Sequence, residues 1–117
     1  TRAGVDFNQP LVVVGTGVHS GRLPNNASFL SVDEPNIVLA AVKRSEDGGA
    51  IIVRVYETDG CRTDAHVRFG TFLAVSEVNA VDLLERTTTD RVERDGNTIR
   101  VEVPPFGISS LRVSFAK

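Results

Sequence analysis

Residues 37–56 read IVLAAVKRSEDGGAIIVRVY, and the fold is decided in this stretch. Ile37 to Lys43 is apolar on both alternating faces until its end, the pattern of a central strand covered on both sides. Ser45-Glu46-Asp47-Gly48-Gly49 interrupts it. Its Asp-Gly pair tolerates the positive φ that tight hairpin turns require. Ala50 to Tyr56 then returns as the partner strand, with Ile51, Val53 and Val55 on one face and Arg54 on the other.

The same grammar repeats outward. After an Asp59-Gly60 turn, Thr63 to Phe69 alternates, with Ala65, Val67 and Phe69 inward and Asp64, His66 and Arg68 outward. Over residues 72–86 the valines argue for a strand, but the alternation slips between Val75 and Val78. A β-bulge or two short strands explains the slip, and a helix is the alternative. Asp95-Gly96 is a third hairpin signal. Ile99, Val101 and Val103 then alternate with Arg100 and Glu102 until Pro104-Pro105. A last strand places Leu111, Val113 and Phe115 inward. Upstream, residues 27–32 read as a strand cut off by Asp33-Glu34-Pro35-Asn36. Leu11-Val12-Val13-Val14, bounded by Pro10 and Gly15, reads as a short buried strand, followed by a loop over residues 15–26. The expected architecture is all-β, an antiparallel β-sandwich of about eight short strands, because a half-buried sheet needs a second sheet to cover it. Residues 1–26 form a lead-in strand and loop, and residues 27–117 the sandwich, within one domain.

Composition agrees. Of 117 residues, 41% are hydrophobic and 24% charged, enough apolar side chain to offset the entropy of ordering. The net charge of -2 and the lack of a Lys/Arg cluster argue against a nucleic-acid partner. No apolar run approaches the roughly 20 residues that span a bilayer, so no membrane partner is expected. Cys61 is the one cysteine. It has nothing to pair with internally, which favours a reducing compartment and reads as a thiol near a turn.

Chemistry is sparse. His19 lies in a Gly-rich loop and His66 on an outward strand face, too far apart and too poorly accompanied for metal-ligand spacing. No Gly-x-Ser-x-Gly elbow is present. Gly15-Thr16-Gly17 is a fragment of a nucleotide fingerprint with no helix expected after it. Asp33-Glu34 and Glu46-Asp47 lie in turns, where solvated carboxylates are the ordinary reading. A carbohydrate-stacking platform is disfavoured, because the chain has no Trp and one Tyr, Tyr56. No catalytic, cofactor-binding or metal residue is assigned. So little chemistry leads us to expect a piece of a longer polypeptide.

Four stretches carry a resemblance. Pro35 to Asp47 (PNIVLAAVKRSED) is followed by Ile52 to Glu57 (IVRVYE), Val81 to Arg86 (VDLLER) and Pro105 to Leu111 (PFGISSL). In this order and spacing they resemble the extreme C-terminal β domain of family 38 glycoside hydrolases, the α-mannosidases, on the bacterial and cytosolic branch. The resemblance covers residues 27–115. It implies a cytoplasmic parent enzyme that hydrolyses α-mannosidic bonds with retention, using two aspartates and a zinc ion in a separate catalytic domain. None of those motifs lies in this chain, so the implied role is non-catalytic: packing against and supporting the catalytic region of the same polypeptide. Arg54, Asp82, Glu85 and Arg86 are the candidate interdomain residues, with an Arg54–Glu85 pair as one arrangement. An independent carbohydrate-binding module and an immunoglobulin-like interaction domain are the competing readings.

Overall fold

A computed structural model describes residues 2–116. After a short helix α1 (Arg2–Asn8), eight strands follow: β1 (Leu30–Val32), β2 (Ile37–Arg44), β3 (Ile51–Glu57), β4 (Thr63–Phe69), β5 (Val75–Val81), β6 (Val92–Asp95), β7 (Thr98–Val103) and β8 (Ile108–Phe115). They make two four-stranded antiparallel sheets, β1-β4-β7-β6 and β2-β3-β8-β5. The first is called sheet A below and the second sheet B. The sandwich expected from the alternation is therefore present.

The period-2 pattern places the core. Val53 and Val55 of β3, Ala65, Val67 and Phe69 of β4, Ile99, Val101 and Val103 of β7, and Leu111 and Val113 of β8 are all buried in one cluster. Each fully buried Val, Leu, Ile or Phe contributes roughly 1.5–3 kcal/mol, so a few inward residues per strand hold two sheets together. Phe69 and Phe115 meet edge to face across the sheets, with ring centroids 5.5 Å apart.

Turns follow their residues. Gly48 (φ 74°) closes the β2–β3 hairpin, and Gly96 (φ 57°) opens the two-residue β6–β7 turn, where Asp95 pairs with Thr98. Both need a backbone region that side chains with a Cβ seldom enter. The slip in alternation over 75–78 is a bulge: Val75 pairs with Phe115 and Glu77 with Ser114, which leaves Ser76 extra.

Two expectations are corrected. Leu11–Val14 forms no strand and is almost fully exposed, with Leu11 at 97% and Val13 at 93%. A short apolar run shows that a segment can be buried, not that its own domain offers a sheet to bury it in. Ile37–Lys43 is not a central strand either. β2 is an edge of sheet B, bulged between Leu39 and Ala41, and only Ile37 and Val38 are buried while Leu39 and Val42 face solvent. Residues 1 and 117 lie outside the described range.

Each end of the sandwich is tied by one polar side chain. At one end, Glu57 is 98% covered (2% exposed). Its Oε1 accepts from Asn36 Nδ2 (2.9 Å) and the Asp59 N–H (2.7 Å). Its Oε2 accepts from the N–H groups of Gly60 (2.8 Å), Cys61 (3.2 Å) and Phe106 (2.9 Å). At the other end, Asn97 donates to the carbonyls of Gly70 and Leu73 and accepts from the Val75 N–H. Burial alone would raise the Glu57 carboxyl. The N–H groups of Phe106 and Asp59, the Asn36 amide and the Gly60 N–H outweigh it and lower the pKa from 4.5 to about 2.

A carboxylate with a lowered folded-state pKa stabilises fully above its unfolded value and loses that contribution as pH falls through its folded value. For Glu57 the window runs from about 4.5 down to about 2. Glu57→Gln keeps the shape but turns an acceptor into a donor facing backbone N–H groups. It is expected to lower Tm by several degrees at pH 7 and to flatten the loss of stability across that window. Thermal melts from pH 7 to pH 2 check this; parallel wild-type and variant profiles would contradict it.

Candidate interdomain surface

The residues after β5 build the most distinctive surface. Asp82 organises the turn: Oδ1 accepts from the N–H groups of Leu84 (2.8 Å) and Arg86 (2.9 Å), and Oδ2 from Arg86 Nε (2.7 Å). The Asp82 N–H donates to the Arg86 carbonyl and the Glu85 N–H to the Asp82 carbonyl. An isolated bridge between Val81 and Thr87 closes the loop. The Arg86 N–H, and secondarily the Arg86 guanidinium, hold the Asp82 carboxyl below its ordinary range.

Glu85 sits at φ 63°, a conformation that non-glycine residues rarely adopt. From there its carboxylate reaches across the outer face of sheet B, from beside β5 to β2 at the opposite edge. Oε1 lies 2.7 Å from Lys43 Nζ, and Oε2 accepts from the Glu46 N–H at 2.8 Å. Lys43, then the Glu46 N–H, lower the Glu85 pKa, and Glu85, then Glu46, raise that of Lys43. The loop is thus a strap over sheet B. Ile52, on the face of β3 opposite Val53 and Val55, is fully buried although it points away from the core between the sheets.

Of the four candidate residues, the structure brings Asp82, Glu85 and Arg86 into one turn but separates Arg54 from Glu85. Arg54 Nε donates to Ser110 Oγ at 3.1 Å, while Lys43 and Glu46 occupy the Glu85 carboxylate. Sequence spacing does not specify which cation a strand-edge loop meets. The same hairpin is braced again by Asp47, whose Oδ2 accepts from Arg112 Nη2 of β8 at 2.8 Å. Ser45, Gly49 and then Arg112 hold the Asp47 carboxyl well below the usual range.

The strap carries what residue chemistry alone did not single out. Leu83 and Leu84, at its tip, are exposed at 62% and 72%. Leu83 and Ile108 line one groove of about 270 Å³ together with Asp82, Thr88 and Ser109. Phe106, at φ 51°, stands exposed at the same end of the sandwich, its backbone N–H held by Glu57. Both leucines lie in the turn beyond the end of β5, where strand alternation no longer assigns a face.

The outer face of sheet A is different. Arg100 bridges Asp64 and Glu93, Arg62 pairs with Glu102, Arg91 with Glu93, and Arg68 with Asp33. Exposed pairs of this kind contribute about 0–1 kcal/mol each. They leave the groove between them with its charges mutually neutralised. His66 Nδ1 lies 2.5 Å from Glu34 Oε1, but no Ser, Thr or Cys side chain among the described residues hydrogen-bonds this histidine. An oriented imidazole without a nucleophile is half of a catalytic relay. Among the described residues no group of three or more His, Cys, Asp or Glu could hold a metal ion. Cys61 is free and exposed.

Glu85→Ala removes the strap's hold on Lys43 and Glu46 while keeping the unfavourable φ. It is expected to lower Tm of the 117-residue chain by a few degrees and to raise proteolytic cleavage at residues 82–88. An equal loss in Lys43→Met, with no further loss in the double variant, would identify the pair as the cause. Additive losses would show that Glu85 acts elsewhere.

The family model for the glycosyl hydrolases family 38 C-terminal beta sandwich domain matches residues 36–111. That span runs from the Asn36 that donates to Glu57 through Leu111 of β8, and so includes both hairpins and the strap. No curated protein matches the chain. A sandwich of the expected layers, with the match spanning most of it, places this chain in the family of glycosyl hydrolase family 38 C-terminal beta sandwich domains.

Proposed function

We propose that this chain is the non-catalytic C-terminal β domain of an α-mannosidase of the bacterial and cytosolic type, packed against the catalytic region of the same polypeptide. The match over residues 36–111 carries this reading. The motifs PNIVLAAVKRSED, IVRVYE, VDLLER and PFGISSL support the α-mannosidase assignment. The zinc and the aspartates of the reaction belong to the parent's catalytic domain. A free, exposed Cys61 supports a cytoplasmic parent, since a thiol stays reduced in that compartment.

The contribution of this domain is mechanical. A surface that presents two exposed leucines and is rimmed by Asp82 and Arg86 has the mixed polarity of an interface within one chain. The strap is anchored to both edges of sheet B through Glu85 and Thr87, so its leucines are presented by a fixed element. Interfaces with pre-ordered contact residues lose less entropy on docking.

The native polypeptide that carries residues 1–117, captured with an antibody against this segment, tests the reading. It is expected to be several times 12.6 kDa and to hydrolyse an aryl α-mannoside, whereas the 117-residue chain alone neither hydrolyses nor binds it. A native mass near 12.6 kDa, or a large polypeptide active only on other glycosides, would overturn it.

A further inference from the structure

Leu11–Val14 has the sequence of an interior strand and the surroundings of none. Four consecutive apolar residues are exposed by 80% or more, and Val18 is exposed as well. No backbone hydrogen bond joins Leu11–Val14 to another described residue. Exposed apolar side chains are ordinary when scattered singly. Four in a row, three of them valine, are not, because such a run pairs high strand preference with two apolar faces.

The sandwich to which the run is attached cannot cover both faces. A strand added to either sheet would turn one face to the core side and the other to the outer side. The outer side of sheet A is the ladder of Asp64, Arg100 and Glu93, and that of sheet B carries Arg54, Lys43 and Arg112. Two of the four valines and leucines would then lie against charge. A sheet covered on both sides is the environment that suits the run, and the run belongs to neither sheet of the sandwich. Residues 15–29, with Gly15, Gly17 and Gly21, span at most about 50 Å when extended, enough to reach a neighbouring domain while β1 stays in place.

We infer that Leu11–Val14 is an interior strand of a β-sheet belonging to the preceding part of the same polypeptide, so that this domain is stitched to its neighbour by backbone hydrogen bonds as well as by side-chain contact. The inference rests on the reading of the chain as a domain of a larger enzyme. The expected partner is a strand pair with free N–H and C=O groups between two apolar layers, in the manner of strand addition.

Hydrogen exchange read by mass spectrometry on peptides covering residues 11–14 provides the test. In the intact captured polypeptide these amides are expected to exchange about two orders of magnitude or more slower than in the 117-residue chain, where they exchange as an open chain does. Val13→Lys, at a position 93% exposed here, is expected to leave the melting of the 117-residue chain unchanged and to lower that of the intact polypeptide by several degrees. Fast exchange in a large polypeptide that hydrolyses α-mannosides would overturn the strand while leaving the enzyme reading intact. A native mass near 12.6 kDa would remove both. Protection already present in the 117-residue chain, with a doubled mass in solution, would assign the strand to a second copy and overturn the inference.

Discussion

The carboxylate of Glu57 is the constraint on which one whole end of this sandwich depends. Five donors from three separate parts of the chain converge on it: Asn36 before β2, the Asp59–Cys61 turn after β3, and Phe106 between β7 and β8. A buried charge is tolerated only when it is fully satisfied, and here the satisfaction comes from N–H groups that would themselves be orphaned without it. The side chain therefore acts as a template around which three loops close. The positive φ of Phe106 and the near approach of its ring to Gly60, where a Cβ would lie 2.7 Å from two ring carbons, follow from that closure. At the far end Asn97 does comparable work with a neutral amide, because its partners include two carbonyls and an N–H rather than N–H groups alone.

Between the ends, the two outer faces have been given different treatments. Sheet A is finished with paired charges and needs no further cover. Sheet B is covered by the strap after β5, at the cost of an unfavourable backbone angle at Glu85 that the Lys43 and Glu46 contacts offset. The asymmetry gives the domain a charged face and an end that carries the exposed Leu83, Leu84 and Phe106.

The architecture was legible because period-2 alternation is a local signal. Ala65, Val67 and Phe69, or Ile99, Val101 and Val103, state which face is inside without reference to any other part of the chain. Even the bulge at Ser76 announced itself as a slip in that alternation. What was not legible depends on partners remote in sequence. Ile37–Lys43 has the apolar content of a central strand, yet its place at an edge is decided by which strands flank β3. Glu57 reads as the last residue of a strand, and nothing local foretells that Phe106 will donate to it. The candidate surface was half readable: Asp82, Glu85 and Arg86 do share one turn, but Arg54 turned to Ser110 and Lys43 took its place. The exposed leucines lie in the turn after β5, beyond the reach of that signal.

The bulges have a further consequence for how this molecule behaves at high concentration. A sandwich has four open sheet borders, and a chain that also carries a bare Leu-Val-Val-Val segment has both halves of a recipe for runaway polymerisation. Each border refuses the segment in its own way. β1 and β6 are three and four residues long, too short to template a stable pairing. β2 is kinked at Ala40 and ends in Lys43-Arg44. β5 is kinked at Ser76, and Thr87 and Thr88 already occupy its far end through the bridge to Val81 and the hydrogen bond to the Ala80 carbonyl. The irregularities that make the strands look imperfect leave no long, regular edge on which such a stretch could pair.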